Sequence, residues 1–323
     1  MVAKHIPNNK EIIVFNNIII LLSTYNGSKY LKQQLDSLLS QTNTSFQIIA
    51  RDDCSADNTL DILKSYNIKV ITSAENLGAC GSFSALLDYA VHNTNSNYFM
   101  FCDQDDVWES DKIETTLQTM LSTQSINPQI PVLVHTDLQV VGEHLETIQR
   151  SFMQFQNIDS SYSDLNNLLI QNTVTCCTVM INRQLAELST PIPDDVTMHD
   201  WWLGIVASQF GLITFLPEST IKYRQHSSNT IGAKGYSLVT IVYKFYKIFR
   251  KKGLYLQSMG DNIKQAEEFL NMYKCRLNTD TIQMLEDFIY IEDQSFWHRR
   301  VILIRHRLLK QGILRNMGLI LKI

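Results

Sequence analysis

Phe99-Met100-Phe101-Cys102-Asp103-Gln104-Asp105-Asp106-Val107-Trp108 sets four apolar side chains directly before three acids packed within four positions. Such a run reads as a buried strand that stops at a carboxylate cluster. Carboxylates are hard oxygen ligands, suited to Mg²⁺ or Mn²⁺ rather than to zinc. Open α/β sheets bind their ligands at the carboxyl edge, where this strand ends.

Upstream the same pattern repeats. Ile18–Leu22 is a continuous apolar run, broken by the turn residues Ser23, Thr24, Tyr25, Asn26 and Gly27. Leu31, Leu35, Leu38 and Leu39 then fall on one helical stripe. Phe46–Ala50 and Ile68–Thr72 read as further strands, separated by a helical face at Leu60, Leu63 and Tyr66. Phe83, Leu86, Leu87, Ala90 and Val91 mark the helix before Tyr98–Cys102. This βαβαβαβ alternation predicts an α/β fold with a doubly wound, mostly parallel sheet.

Downstream, 132–141 reads as a strand, 165–170 as helical and 173–181 as extended. Pro191 and Pro193 close a loop before Met198-His199-Asp200-Trp201-Trp202, which opens a helix. Short strands are expected at 211–215 and 220–223. Beyond Gly232 the pattern turns helical, so the expected division is a catalytic domain over 1–232 and a helical, basic C-terminal extension over 233–323.

The composition, 45% hydrophobic and 19% charged over 323 residues, is that of a globular chain. A formal charge of −4 argues against a nucleic-acid binder. Six cysteines form no C-x-x-C pair, and with no signal-peptide pattern the expected setting is a reducing cytoplasm. No apolar run reaches the roughly 18 residues a membrane span needs. The charge is uneven, however. Lys244–Lys252 holds five basic residues and no acid, and 297–323 holds seven and no acid. Basic helices with interleaved apolar residues suit an anionic membrane face, or else pack on the catalytic domain with their cations in water.

Four further segments bear on chemistry. Ser23–Asn26 and Arg51–Thr59 follow strands one and two and so reach the same edge as the acids. Asp52 and Asp53 are adjacent like charges that need a reason; Asp57 reads as a cap for the helix at Leu60. Neither G-x-G-x-x-G nor G-x-x-x-x-G-K-[ST] occurs, so a bound diphosphate needs another source of positive charge. A divalent ion on Asp103 and Asp105 supplies one. Asp200 reads as a general base with Trp201 and Trp202 as a saccharide platform, or as a helix cap beside core aromatics. His226, with Arg224 nearby, reads as a metal or phosphate contact, or as a structural histidine.

Together these segments resemble the family 2 glycosyltransferases of GT-A fold, in their bacterial rhamnosyltransferase-like branch. The resemblance rests on Ser23–Gly27 with Leu31, Gln34, Leu35, Ser37, Leu38, Gln41 and Thr42, and on Arg51–Thr59. It continues through Glu75-Asn76-Leu77-Gly78, Phe101–Trp108, His199–Trp202 and Tyr223–His226, over about residues 16–232. It implies that Asp53 reads the pyrimidine, and that Thr24, Tyr25, Asn26, Asp52, Asn76, Gly78, Asp103 and Gln104 line the nucleotide-sugar site. Asp103 and Asp105 would hold Mg²⁺ or Mn²⁺, with Asp106 nearby and His226 beside the metal. Asp200 would be the base of an inverting displacement. Cys54 departs from the pattern where the family often has Gly; Cys176-Cys177 departs where a small residue lines the acceptor pocket.

The implied donor is a dTDP- or UDP-linked sugar, L-rhamnose or another hexose. The implied acceptor is a saccharide, expected to be lipid-linked, in cell-surface polysaccharide synthesis at the inner membrane face. Two other classes compete. A nucleotidyltransferase of similar topology would need a glycine- and basic-rich first loop. A non-catalytic sugar-nucleotide-binding partner should have lost Asp103, Asp105 or Asp200; all three acids are present.

Overall fold

The computed structural model describes residues 17–125, 127–226 and 254–323. The expected boundary at 232 and the basic stretch at 244–252 lie outside them. In chain order the first half holds β1 (Ile18–Thr24), α1 (Leu31–Leu39), β2 (Phe46–Asp52), α2 (Thr59–Ser65), β3 (Lys69–Thr72), α3 (Gly78–Asn93), β4 (Tyr98–Cys102), β5 (Val107–Trp108) and α4 (Lys112–Gln124). There follow β6 (Val132–Val141), β7 (Thr147–Gln149), α5 (Phe152–Gln156), α6 (Leu165–Leu168), β8 (Val179–Asn182), α7 (Arg183–Ser189), α8 (His199–Phe210) and β9 (Leu212–Arg224). The C-terminal helices are α9 (Leu254–Tyr273), α10 (Thr279–Ile289), α11 (Phe296–Arg305) and α12 (Ile313–Lys322).

One sheet runs in the order β3-β2-β1-β4-β8-β6-β9-β5, with β7 on β6. β3, β2, β1 and β4 are mutually parallel, as the alternation of strands and helices requires. β8 then pairs antiparallel to both β4 and β6, and β9 lies parallel to β6. The extended stretch expected at 173–181 is shorter: a 3₁₀ turn at Cys176–Thr178 precedes β8. The two short strands expected near 211–223 form one strand, β9. Irregular register beside Asp137 bends the backbone while β9 keeps β6 as its neighbour.

β1 explains the layering. Ile19 and Leu21 face a cluster with Phe83, Leu86 and Leu87 of α3 and Trp202, Leu203 and Val206 of α8. Ile18, Ile20 and Leu22 face the other way, against Leu31, Leu35 and Leu38 of α1 and Ile113, Leu117 and Met120 of α4. A strand covered on both faces has no polar side, hence the unbroken apolar run. Phe269, Leu285, Phe288, Ile302, Leu303 and Leu319 of the C-terminal helices join the first cluster, so those helices close over α8 on one continuous core. Among the described residues no helix is long and apolar enough to cross a membrane.

Candidate active site

The loops after β1, β2 and β4 meet at the carboxyl edge of the parallel strands. Gln104 clamps the first of them: its Oε1 accepts from Tyr25 N at 2.8 Å and its Nε2 donates to Tyr25 O at 2.9 Å. Gly27 makes room for this, since a Cβ there would sit 2.0 Å from Gln104 Oε1. Asn26 stitches the loops after β1 and β2, its N–H donating to Ser55 Oγ and its Oδ1 accepting from Ala56 N, each at 2.9 Å. Tyr25 is exposed above this rim, as is Asn76, whose Oδ1 accepts from Gly78 N at 2.9 Å.

Two of the residues expected in the nucleotide site, Thr24 and Asp52, are buried and bonded to each other. Thr24 is 1% exposed, and its hydroxyl donates to Asp52 Oδ1 at 3.0 Å. Asp52 also accepts from Ser55 Oγ at 2.6 Å and Ser55 N at 3.0 Å, which closes the loop after β2. Asp53, the expected pyrimidine contact, is buried as well. At 2% exposure its carboxylate accepts from Leu77 N and Gly78 N, both at 2.9 Å, and pairs with Arg51. It therefore satisfies orphan N–H groups at the start of α3, where a negative charge also meets the helix dipole. The two adjacent acids have their reason in architecture. Asp57 falls one residue before the N-cap, which is Asn58; its carboxylate accepts from Thr59 N at 3.0 Å and from Ser28 N at 3.1 Å. Cys54 sits at φ +69°, a left-handed conformation that glycine adopts without the roughly 1–2 kcal/mol cost a Cβ brings. The family's frequent Gly at this position has that physical basis.

The acid cluster lies just beyond β4. Burial pushes the Asp103 carboxyl up to about 7, and the like charges of Asp105 and Asp200 add to the effect. Asp103 is thus within electrostatic reach of an acid on its own loop and of one almost a hundred residues downstream. Asp106 is fully buried. Its Oδ1 accepts from Arg224 N at 3.1 Å, its Oδ2 has no hydrogen-bond partner among the described residues, and burial drives its carboxyl well above the usual range.

The ligand set differs in part from the expected Asp103, Asp105 and His226. His226 Nε2 lies 2.8 Å from Asp105 Oδ2, and its ring packs on Tyr30 with centroids 4.7 Å apart. Among the described residues, the three side chains whose ligand atoms all fall within 4.8 Å of one another are Asp103, Asp106 and Cys177. Cys177 is buried and its thiol held well above its ordinary pKa by burial, so it stays protonated beside the two carboxylates. With the thiol protonated, the hard donors left in that cluster are the oxygens of Asp103 and Asp106, while Asp105 faces His226. Arg224 does not offer its guanidinium to a phosphate here. It bonds Asp105 O at 2.7 Å, Glu143 O at 2.5 Å and Gln33 Oε1 at 2.6 Å, and so pins the acid loop. Lys112, fully buried beneath the cluster, stacks 4.7 Å from the Trp108 ring, and burial lowers its amine to about 8.

Asp200 occupies the first turn of α8. Its Oδ2 accepts from Cys176 N at 2.9 Å; its Oδ1 accepts from Trp201 N at 2.6 Å and Asn172 Nδ2 at 3.4 Å. Burial raises its pKa to about 6 against the pull of these donors. Cys176 is held in turn by its thiol, 2.7 Å from Nε2 of the buried His199, which stacks on Phe83 at 4.4 Å. Burial keeps that imidazole neutral by lowering its pKa to about 3. Cys176 and Cys177 thus lie under the cleft, 7% and 0% exposed.

The tryptophan platform is corrected by half. Trp202 is fully buried, donates from Nε1 to Ser189 O at 3.2 Å and packs against Phe269 and Tyr273. Trp201 is partly exposed and is anchored through Nε1 to Leu168 O. Trp202→Ala is expected to cost about 3–5 kcal/mol in urea unfolding, as core aromatic truncations do. Trp201→Ala should cost clearly less, and equal costs would remove the distinction drawn between them.

An α/β sheet of order 3-2-1-4 with acids at its carboxyl edge and a helix-borne acid opposite defines a glycosyltransferase of GT-A fold. Residues 19–186, just over half of the sequence, match the Glycosyl transferase family 2 description, and the chain belongs to that family. It is 26% identical over 226 residues to the dTDP-rhamnosyl transferase RfbG of Shigella flexneri, covering 66% of this chain and 74% of that one. It is 25% identical over 195 residues to WfgD of Escherichia coli, a UDP-Glc:alpha-D-GlcNAc-diphosphoundecaprenol beta-1,3-glucosyltransferase, with 58% and 69% covered. Among solved structures it is similar to the mannosyltransferase PcManGT from Pyrobaculum calidifontis in complex with GDP-Man and Mn²⁺. The TM-score is 0.52 and the identity 13%, over 94% of this chain and 78% of that one.

Proposed function

We propose that the protein moves a sugar, L-rhamnose or another hexose, from a dTDP- or UDP-linked donor to a saccharide hydroxyl with inversion at the anomeric carbon. The observation that carries this reading is that Asp200 of α8 holds Cys176 N while the next side chain, Cys177, lies within 4.8 Å of Asp103 and Asp106 at the edge of β4. Asp200 is a partly desolvated carboxylate with a pKa of about 6, suited to accept a proton from the acceptor hydroxyl near neutral pH. Tyr25, Asn26, Asn76 and Gln104 form the rim on which the nucleotide rests. Asp52, Asp53 and the backbone at Gly78 hold that rim in shape. Asp103 and Asp105, with His226 adjoining, would hold Mg²⁺ or Mn²⁺. That ion supplies Lewis-acid stabilisation of the leaving diphosphate, worth several kcal/mol. Trp201 contributes its free face to the acceptor side.

The name of RfbG supports a dTDP-sugar donor and that of WfgD an acceptor on a lipid diphosphate; polysaccharide assembly at the cytoplasmic membrane face is part of the same proposal. The division at 232 follows the same reading, with the acids in the first part and the capping helices in the second. The test incubates full-length protein with Mn²⁺, a saccharide acceptor and dTDP-rhamnose, UDP-glucose, UDP-N-acetylglucosamine or GDP-mannose in turn. Acceptor-dependent nucleoside diphosphate release from one of the first three is expected. Release from none of the four, with donor binding intact, would point to a binding protein and overturn the reading.

A further inference from the structure

α11 and α12 carry large apolar residues on their outer as well as their inner faces. On α11, Ile302 and Leu303 are buried in the core while Trp297, Val301 and Ile304 are 75%, 57% and 61% exposed. Those three fall at i, i+4 and i+7, one continuous stripe. On α12, Leu319 is buried while Ile313, Met317 and Leu321 are 80%, 47% and 60% exposed, at i, i+4 and i+8. A helix that packs on a globular core ordinarily turns a polar face to water. Exposed large apolar residues elsewhere, such as Leu39, Leu121 and Ile148, belong to different elements and form no such stripe. An apolar surface of this kind marks a docking site.

Charge selects the occupant. From Trp297 to Ile323 the chain has seven Lys or Arg and no Asp or Glu, and Arg305 at the end of α11 and Arg307 just beyond it are exposed. Asp287 of α10 is already paired with His306, so a second copy would meet this segment's exposed cations with its own, like charge against like. An anionic bilayer offers apolar depth for the stripes and negative headgroups for the flanking cations, the two attractions that interfacial helices combine. An indole at the edge of such a stripe suits the headgroup level.

The surface is also tied to the acceptor side of the cleft. Gln311, between the two helices, exchanges hydrogen bonds with Asp159, its side chain accepting from Asp159 N at 2.6 Å and donating to Asp159 O at 2.7 Å. Its backbone N–H donates to Gln171 Oε1 at 3.0 Å. Arg315 bonds Gln156 O and Asn157 O at 2.5 and 2.8 Å, and Asn166 Nδ2 donates to His306 O at 3.2 Å. The residue after Gln171 is Asn172, the donor to Asp200. The wall that carries the base is therefore fastened to the two helices.

We propose that the outer faces of α11 and α12 seat on an anionic lipid surface and hold the Asp200 side of the cleft against it. The lipid contact stands on the surface alone; its use, delivery of a lipid-linked acceptor, rests on the function proposed above. Full-length protein is floated with vesicles of phosphatidylcholine, with and without phosphatidylglycerol. Partition into the anionic vesicles is expected, and about tenfold less into the neutral ones. The triple variant Ile304→Ser, Ile313→Ser, Met317→Ser changes exposed positions only. It should lose partition about tenfold while keeping its melting temperature and its transfer to a soluble acceptor. A blue shift of tryptophan emission on binding should vanish in Trp297→Phe.

No partition, or partition unchanged in the triple variant, overturns the proposal. So does self-association that the triple variant abolishes while vesicles bind neither protein. Vesicle binding without transfer to a lipid diphosphate acceptor upholds the surface and overturns the reading of its use.

Discussion

Asp200→Asn loses sugar transfer by about 10²–10⁴, the range a positioned general base supplies, and keeps donor and Mn²⁺ binding. Steady-state product formation and calorimetric titration with the nucleoside diphosphate check the two halves separately. The substitution is nearly isosteric, but its hydrogen bonding changes in a definite way. Asp200 accepts from three donors through two oxygens, whereas Asn has one acceptor oxygen and an NH₂ group. With its oxygen toward Trp201 N and Asn172 Nδ2, the amide NH₂ opposes Cys176 N–H, leaving that buried donor unsatisfied at about 1–3 kcal/mol. A modest fall in stability therefore accompanies the loss of rate. Lost nucleotide binding would show instead that the substitution had disturbed the fold around Cys176.

The wild-type rate has its own sign. A base acts when ionised, so kcat rises with pH through about 6, the value to which burial brings Asp200. The Asn172 amide stabilises the ionised form, and Asn172→Ala moves that acid limb to higher pH. A limb that stays in place in Asn172→Ala, or survives unchanged in Asp200→Asn, would assign the titration to another group.

What was legible in the sequence follows the distance over which each interaction acts. β1 is apolar at five successive positions because helices cover both its faces, and that pattern sits within the strand itself. The acids after β4 are equally local, and so is the helix start at His199. The roles of Asp52 and Asp53 were less visible. Their partners Thr24, Leu77 and Gly78 lie more than twenty residues away, and adjacent acids look alike whether they face a ligand or cap a helix. Trp201 and Trp202 are neighbours in sequence, but on a helix they point about 100° apart, so one reaches the cleft wall and the other the core. The ties that fix the site are longer still. Arg224 reaches Asp106 across 118 residues, and Cys176 meets His199 across 23. A cysteine where a smaller residue was expected is the one local sign of that second pair.

Asp103→Asn is expected to make the metal-free protein more stable at alkaline pH and nearly inactive at once. The folded Asp103 carboxyl titrates at about 7, above its ordinary value of 3.8, because burial and the charges of Asp105 and Asp200 disfavour its ionised form. A raised pKa of this sign contributes stability that is complete below the unfolded value and is lost as pH climbs through the folded one. Metal-free wild-type protein therefore melts at falling temperature as pH rises toward 7 and beyond, with Asp106 acting in the same direction. Mn²⁺ reverses this by binding the ionised pair, so the shift in melting temperature it produces grows with pH. In Asp103→Asn the amide carries no charge at any pH. The metal-free decline flattens, and the Mn²⁺-induced shift shrinks. Transfer falls by about 10³ or more, since Lewis-acid help of several kcal/mol is lost. Asp105→Asn loses the metal as well, and it also removes the charge beside His226. Scanning calorimetry across pH with and without Mn²⁺ separates these outcomes. A metal-free wild-type protein whose melting temperature holds level from pH 5 to about 8 would mean the acids at this edge are not crowded as their geometry requires.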